Sequence, residues 1–351
     1  MIKLTINNVK VLFIKAFTSE DVQTILHFVR EAASFARGTE PTVLFIDTPI
    51  TSATVEAVEK LKRERFRVVF RDHHYVDGEP RNDRERQVVA AAAKLKNLLQ
   101  DDCEITVRKL HPACSTLVEV GEFAHAVAIV ADPDADGLTA AMKAAGVYYE
   151  GLDEDAAKLD SEPQVQVTGT AISQLLAKGI AVIPSYDSAN PKEREIAHQY
   201  LFEDWVKAVT GNEQALQRLN ERVALYEEAV TVAQTLASTA ETVAPGVVLV
   251  DVAHKPLYDP GTLNALMESL AGTRITVVRK SLGPIAALHG IQYSLAVVKS
   301  EQARVDLQNL VPTHAKSDPE GGIISNVSFL LHVSEDIWQR TVLPLLRDGR
   351  V

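Results

Sequence analysis

Only two cysteines, Cys103 and Cys114, occur in 351 residues. That is too few for a disulfide framework or a cysteine-rich zinc site. Basic charge is also in deficit: 36 Lys plus Arg stand against 47 Asp plus Glu, giving a formal net charge of −11. Binding long duplex nucleic acid rests on neutralising many phosphates, so this balance argues against it and leaves room for a local phosphate site. No window reaches roughly eighteen uninterrupted apolar residues, and no membrane span is expected. The opening stretch MIKLTINNVKVLFIKAF lacks the long apolar run and small-residue cleavage site of a signal peptide. Several signature loops are missing too. There is no P-loop, no G-x-S-x-G elbow, no H-E-x-x-H and no glycine-rich dinucleotide fingerprint after the first strand. These absences exclude the common triphosphatase, serine hydrolase, zincin and dehydrogenase designs. What is present is a 46% apolar chain, enough for a packed core and long enough for two domains. A cytoplasmic, two-domain protein is the expectation.

The first half alternates β-rich runs with helical stretches. Strands are predicted at Val9–Ile14, Val43–Ile46, Arg67–Phe70 and His125–Ala131, and helices at Glu20–Ala36, Ser52–Glu64 and Leu138–Ala145. Strand, helix, strand in this rhythm argues a parallel sheet with right-handed crossovers, whose ligands collect beyond the carboxyl ends of the strands. Residues 151–163 read as an acidic loop, and 181–184 as one more short strand. A mostly helical stretch follows from Lys192 to about Thr242, with apolar residues from Leu216 to Ala233 at spacings of three and four. This repeat reads as a connector helix on a domain surface, with a coiled-coil homodimer as the alternative. Beyond Ala244-Pro245-Gly246 a second β/α module begins. Its strands are expected at Val247–Val252, Arg274–Val278, about Gln292–Val298 and Ile323–Leu331, and its helices near Pro260–Leu270, Glu301–Leu310 and Glu335–Leu346.

Three clusters could carry chemistry. Asp132-Pro133-Asp134-Ala135-Asp136-Gly137 opens like an EF-hand calcium loop, but a strand precedes it and Lys143 stands where the closing acid should be. Crowded carboxylates raise one another's pKa and a divalent cation relieves that repulsion; equally, Asp suits the start of a helix. Arg71-Asp72-His73-His74 also ends a strand. One imidazole could bind a metal with a carboxylate fixing its tautomer, or both could be exposed loop residues. Asp47 ends a third strand and alone reads as a turn aspartate. Taken together, carboxylates and a histidine at one sheet edge make a mixed oxygen and nitrogen site suited to Mn²⁺ or Mg²⁺. Two ions would imply displacement at phosphorus by a metal-activated water.

The block FIDTPITSATVEAVEKLKRERFRVVFRDHH resembles the second and third motifs of the DHH phosphoesterase family in order and spacing. HPACSTLVEVGEFAHAVAIVADPDADG resembles that family's later Ser-containing helix and the strand whose terminal Asp forms the fourth motif. The stretch YSLAVVKSEQARVDLQNLVPTHAKSDPEGGIISNVSFLLHV looks like the substrate-binding domain that accompanies many of these enzymes. The resemblance implies an α/β architecture: a parallel-sheet domain over 1–190, a helical connector over 191–242 and a smaller mixed α/β substrate-binding domain over 243–351. It implies two divalent ions, usually manganese, with Asp47 bridging them, His73 ligating one and Asp132 as the fourth-motif ligand. Asp72 would orient a histidine and His74 would contact the scissile phosphate. Two places depart from the family pattern. Lys15 stands where the first motif has its His, with Asp21 the nearest acid, and the usual acid pair falls instead at Asp134 and Asp136. Gly321-Gly322 runs into Ile323 where the family's loop ends in His.

Basic residues crowd the approach to the DHH run. Most read as solvated helix face, whereas Arg71, beside the site, is the candidate phosphate clamp. Arg279, Arg304, His314, Lys316, Gly321 and Gly322 are candidates for the facing side of a cleft. The expected activity is a metal-dependent phosphodiesterase acting on short single-stranded nucleic acid or a small nucleotide. A non-catalytic scaffold of the same fold and an exopolyphosphatase or pyrophosphatase are the alternatives.

Overall fold

The computed structural model describes residues 1–34, 41–80, 83–161, 167–183, 191–252, 257–270, 272–281, 293–299 and 328–347. The expected helix 301–310, and Arg304, His314, Lys316, Gly321 and Gly322 with it, lie outside the described residues. The chain divides into two compact units, the first holding Met1–Ile183 and Pro191–Val223, the second running from Ala224.

The first unit is built on a six-stranded sheet in the order β1-β2-β6-β3-β4-β5. Its strands are β1 (Ile2–Ile6), β2 (Val9–Phe13), β3 (Thr42–Ile46), β4 (Arg67–Asp72), β5 (Cys103–Ile105) and β6 (Ala128–Ala131). From β2 to β5 all neighbours are parallel, and β1 pairs antiparallel with β2. The sequence reading missed this β1–β2 hairpin. Asn7 and Asn8 close it with positive φ angles of 46° and 69°, the twist that two-residue hairpin turns demand. β3 is buried along its whole length because helices cover both sheet faces. One face packs under α1 (Ser19–Ala33), α2 (Ser52–Arg63) and α3 (Asp83–Leu99). The other packs against α4 (Ala135–Ala144) together with α6 (Ala171–Ala181) and α7 (Pro191–Val209).

Two local readings are corrected. Residues 151–163 were expected as loop, yet Leu152–Ser161 is helix α5; Leu152 and Ala156 are buried, and Asp153, Glu154 and Asp155 fill its first turn, where carboxylates meet the positive end of the helix dipole. The strand expected at 181–184 is not seen over its described part, 181–183: α6 runs to Ala181, capped at its start by Thr170, whose side chain accepts from the Ser173 N–H. The mostly helical stretch expected from Lys192 to about Thr242 is present as two helices that meet at Gly211, which takes φ 91°. Beyond it α8 (Glu213–Ala237) gives way to a strand, β7 (Glu241–Ala244).

The second unit carries a five-stranded sheet in the order β11-β10-β9-β8-β7. Here β8 (Val247–Val252) and β9 (Ile275–Ser281) are parallel, while β10 (Tyr293–Lys299) and β11 (Ser328–Val333) join antiparallel. Helix α9 (Pro260–Glu268) and the helical segments from Glu335 to Arg347 complete it. The fold is therefore mixed α/β with a mostly parallel first sheet. Among the described residues no helix is long and apolar enough to cross a membrane.

Candidate metal centre

Three adjacent parallel strands, β6, β3 and β4, deliver their carboxyl ends side by side. The Asp132 N–H donates to the Asp47 carbonyl at 2.9 Å, and the Asp47 N–H donates to the Arg71 carbonyl at 3.0 Å. Asp47 itself turns out of β3 with φ 48°, a left-handed conformation that aspartate tolerates better than most residues and that still costs on the order of 1 kcal/mol. Gly137 holds the next turn. A Cβ there would collide with the Asp132 carbonyl oxygen, so the β6–α4 turn needs glycine to bring Asp136 inward.

These turns converge on a buried cluster. Asp47, His73 and Asp136 are at most 1% exposed. His73 Nε2 lies 3.3 Å from Asp136 Oδ2 and 3.9 Å from Asp47 Oδ1. On its other side His73 Nδ1 lies 2.8 Å from the His111 carbonyl oxygen. A carbonyl can only accept, so the proton sits on Nδ1 and the Nε2 lone pair faces the two acids. His73 Nε2 and Asp47 Oδ2 have no hydrogen-bond partner, a costly arrangement for buried polar atoms.

The electrostatics follow from crowding. Burial pushes Asp47 well above the usual carboxylate range, and Asp134, Asp136, Asp72 and Asp132 add repulsion. Asp136 is raised for the same first reason, against hydrogen bonds from the Cys114 N–H. Asp132 is pushed up to about 7 by burial and by Asp134, with Lys15 opposing. Burial lowers His73 to about 4, keeping it neutral, as a metal ligand must be. Neutral imidazole, buried acids that repel one another and unpartnered ligand atoms fit a divalent cation.

Asp47 belongs to a second group with Asp72 and His74. Asp72 accepts the His74 backbone N–H at 2.6 Å, and its other oxygen lies 3.4 Å from His74 Nδ1. His74 Nδ1 is also 3.4 Å from Asp47 Oδ1. Its Nε2 faces outward and lies 2.7 Å from an Arg108 Nη2, which also donates to Asp160 at 3.0 Å. A guanidinium only donates, so in this arrangement His74 is neutral with its proton on Nδ1. Burial lowers the His74 pKa, but the bond to Asp72 and its charge outweigh that and raise it. The Arg108 contact makes Nε2 an acceptor here, while Asp72 raises the basicity of the ring even with Arg108 lowering it. The group opens on a groove of about 1160 Å³ whose walls include Lys15, Phe17, Asp47, His74, Tyr75 and Asp132.

The structure thus gathers Asp47, Asp72, His73, His74 and Asp136. Asp132 and Asp134 fall outside both groups. Asp134 caps α4, its Oδ1 accepting from the Gly137 N–H at 2.9 Å, which is the helix-start alternative read from the sequence. Asp132 keeps one buried oxygen without a partner. Arg71 faces Glu104 at 3.4 Å, leaving Arg108 as the arginine that touches His74. Asp21 forms a capping box with Thr18 at the start of α1. Sequence reasoning missed Arg108 and Cys114. Nothing in their local sequence marks Arg108, whereas Cys114 lies in the HPACST stretch already noted for its family likeness.

No family model matches the chain, and no curated protein does. Among solved structures, the chain is similar to a DHH-domain protein described as a member of the s1p family of ribosomal proteins, at 14% identity, with 95% of this chain and 75% of that one covered and a TM-score of 0.44. It is also similar to PggH, a pGpG-specific phosphodiesterase from Vibrio cholerae, at 12% identity, with 88% and 98% covered and a TM-score of 0.42.

Proposed function

We propose that this chain is a divalent-cation-dependent phosphodiesterase acting on short single-stranded oligonucleotides or related small phosphoesters. The observation that carries the reading is the pairing of a buried set, Asp47, His73 and Asp136, in which His73 Nε2 and Asp47 Oδ2 have no hydrogen-bond partner, with a second set, Asp47, Asp72 and His74, of which Asp47 and His74 line the groove. Asp47 is common to both and would bridge two ions. When bound, the cations supply charge neutralisation and an activated water for attack at phosphorus.

The protein's own groups do the rest. His73 holds its proton on Nδ1 against the His111 carbonyl and so keeps Nε2 available. Asp72 fixes the His74 ring from both its backbone and its Nδ1. Lys15 places positive charge in the groove and Arg108 places it on His74, a groove residue, so a phosphate there would exchange the Arg108–His74 contact for bonds from both side chains. With a cation on Nδ1, the single His74 proton would sit on Nε2, the atom placed to donate to a phosphoryl oxygen once Arg108 turns to the phosphate. In this reading Asp132 supports the ion site from the groove wall, and residues 243–351 contribute substrate binding. The acidic balance of the chain supports a small substrate over a long duplex.

The test is a panel: a dinucleotide, pGpG, bis-p-nitrophenyl phosphate, pyrophosphate and polyphosphate, each with Mn²⁺, Mg²⁺ or Zn²⁺ added. Turnover of the diesters that Asp47→Ala abolishes supports the proposal. Turnover of pyrophosphate or polyphosphate alone makes it a phosphoanhydride hydrolase. No turnover and no bound cation makes it a scaffold.

A further inference from the structure

We infer that Cys114 is a fourth ligand of the buried ion position, and that this position takes a borderline-soft cation of the Zn²⁺ class while the groove-facing position takes a harder one. The inference rests on the cation sites of the proposed function and adds what kind of ion each holds. Cys114 is fully buried at the start of the short helical turn Cys114–Leu117. Its Sγ lies 3.5 Å from Asp47 Oδ1. Its backbone N–H contacts both carboxylate oxygens of Asp136, at 3.0 and 3.1 Å. One residue therefore anchors a ligand and presents a sulfur to the same space.

Ligand atoms of Asp47, His73, Cys114 and Asp136 all lie within 4.8 Å of one another. Three of their separations are 3.3, 3.5 and 3.9 Å. Ligands at roughly 2.0–2.3 Å from a tetrahedral ion are separated by about 3.3–3.8 Å. An octahedral oxygen shell at about 2.0–2.1 Å would bring neighbours to about 3 Å. Two of the three fall within the tetrahedral range, the third lies just beyond it, and none is as short as neighbours in the octahedral shell. Donor chemistry agrees, since one thiolate, one imidazole and two carboxylates favour zinc over manganese or magnesium. The unpartnered His73 Nε2 and Asp47 Oδ2 mark this space as one made for a ligand, which a cysteine packed merely as a small apolar residue would not explain.

Four protein ligands leave no open coordination position, the hallmark of a structural ion. The Asp47, Asp72 and His74 group has only three and borders the groove, so chemistry belongs there. On binding, the Cys114 S–H bond breaks, its proton goes to solvent, and a sulfur–metal bond forms without any change of oxidation state.

Co²⁺ substitution tests this directly. The wild type and Cys103→Ser should show the intense near-ultraviolet sulfur-to-cobalt band, and Cys114→Ser should lose it. Competition on the wild type, read as metal content after dialysis, should retain one Zn²⁺ per chain against excess Mn²⁺. Cys114→Ser should bind Zn²⁺ at least about 10-fold more weakly, the scale already reached by removing a ligand's supporting partner. Cobalt bound without the band, or zinc displaced by equimolar Mn²⁺ from the wild type, overturns the thiolate ligand and leaves the cation reading standing. Failure of every cation to bind overturns both. The wild-type competition decides even where Cys114→Ser does not fold.

Discussion

In the six-stranded sheet Asp47, His73 and Asp136 are buried with no lysine or arginine ion pair to them among the described residues. In the five-stranded sheet Arg279 forms a two-pronged pair with Asp251 on the neighbouring strand, its guanidinium 4.8 Å from the ring centres of both Tyr293 and Trp338. The second arrangement satisfies itself, since charge, hydrogen bonds and ring contacts are all supplied by the chain. The first is frustrated, because burial raises the acids and no lysine or arginine among the described residues neutralises them. A chain that settles charge in one sheet and leaves it open in the other has, in the open one, a group able to hold a cation.

The comparison breaks most sharply at Asp47. Asp47→Ala and His73→Ala should each lower diester turnover by at least about 10²-fold, since each removes a ligand rather than a supporting group. Asp47→Asn should lose turnover as well, yet in EDTA it should melt higher than the wild type, because it relieves buried like-charge repulsion. Turnover measured beside a chelated thermal scan checks both halves. An Asn variant that is active, or less stable in EDTA, ends the idea of frustration.

Cation addition is the next largest effect. A ligand at about 100 times its dissociation constant stabilises the folded state by about 2.7 kcal/mol. For a domain of this size each kcal/mol moves the midpoint by about 2–4 °C, so Zn²⁺ or Mn²⁺ should raise the first unit's melting by several degrees. Asp47→Asn should be nearly insensitive. In the second sheet the expectation is reversed: Arg279→Ala should destabilise by about 1–2 kcal/mol through lost contact with the two rings, the exposed Asp251 taking up water instead, with cation content unchanged. Calorimetry with metal analysis separates these outcomes, and a loss of bound cation in Arg279→Ala would blur the contrast. Smaller again is Arg108→Gln, for which we expect about a 10-fold loss in kcat/KM, mostly in KM, as befits a phosphate contact. An unchanged KM would assign Arg108 to holding His74 and Asp160 alone.

Much of this was legible in the sequence wherever local pattern and long-range position coincide. Buried parallel strands announce themselves as β-branched and apolar runs, and Asp47, Asp72 and Asp132 fall at strand ends that a parallel sheet must gather on one edge. What the pattern could not carry was the strand order. β6 lies between β2 and β3, which swings Asp136 against His73 although 63 positions separate them in numbering. It also could not say which acid of the 132–136 loop turns inward: Asp134 satisfies the helix start and Asp136 enters the cluster. Helix α5 was hidden by its acids, two of which are held by the rest of the fold: Asp153 pairs with Lys143, and Asp155 accepts from Tyr149 and the Thr170 N–H. Arg108 and Cys114 come from irregular segments, where no periodicity exists to read.

The smallest effect concerns two histidines with one cause and different neighbours. Burial lowers both His73 and His198 to about 4, and at His198 Arg194, the terminal amine and Lys15 reinforce it against a hydrogen bond with the Arg194 carbonyl. His198 lies against Phe202, with ring centres 6.1 Å apart, and no acid is placed to receive its charge among the groups that shift it. Its folded pKa is below the unfolded value near 6.5, so protons bind more readily to the unfolded chain. Stability from this residue is therefore full above about pH 6.5 and is lost progressively as pH falls toward 4. Asp47 and Asp136 act in the opposite sense in metal-free protein: their folded pKa values are raised, so protonation on acidification favours the folded state. Wild-type protein in EDTA should show a shallow acid limb because the two slopes oppose. Asp47→Asn should steepen that limb, and adding His198→Gln should flatten it again. Denaturant titrations between pH 7 and 4 measure the difference. If the limb of Asp47→Asn is no steeper than that of the wild type, the buried acids do not carry the raised pKa values on which the contrast between the two sheets depends.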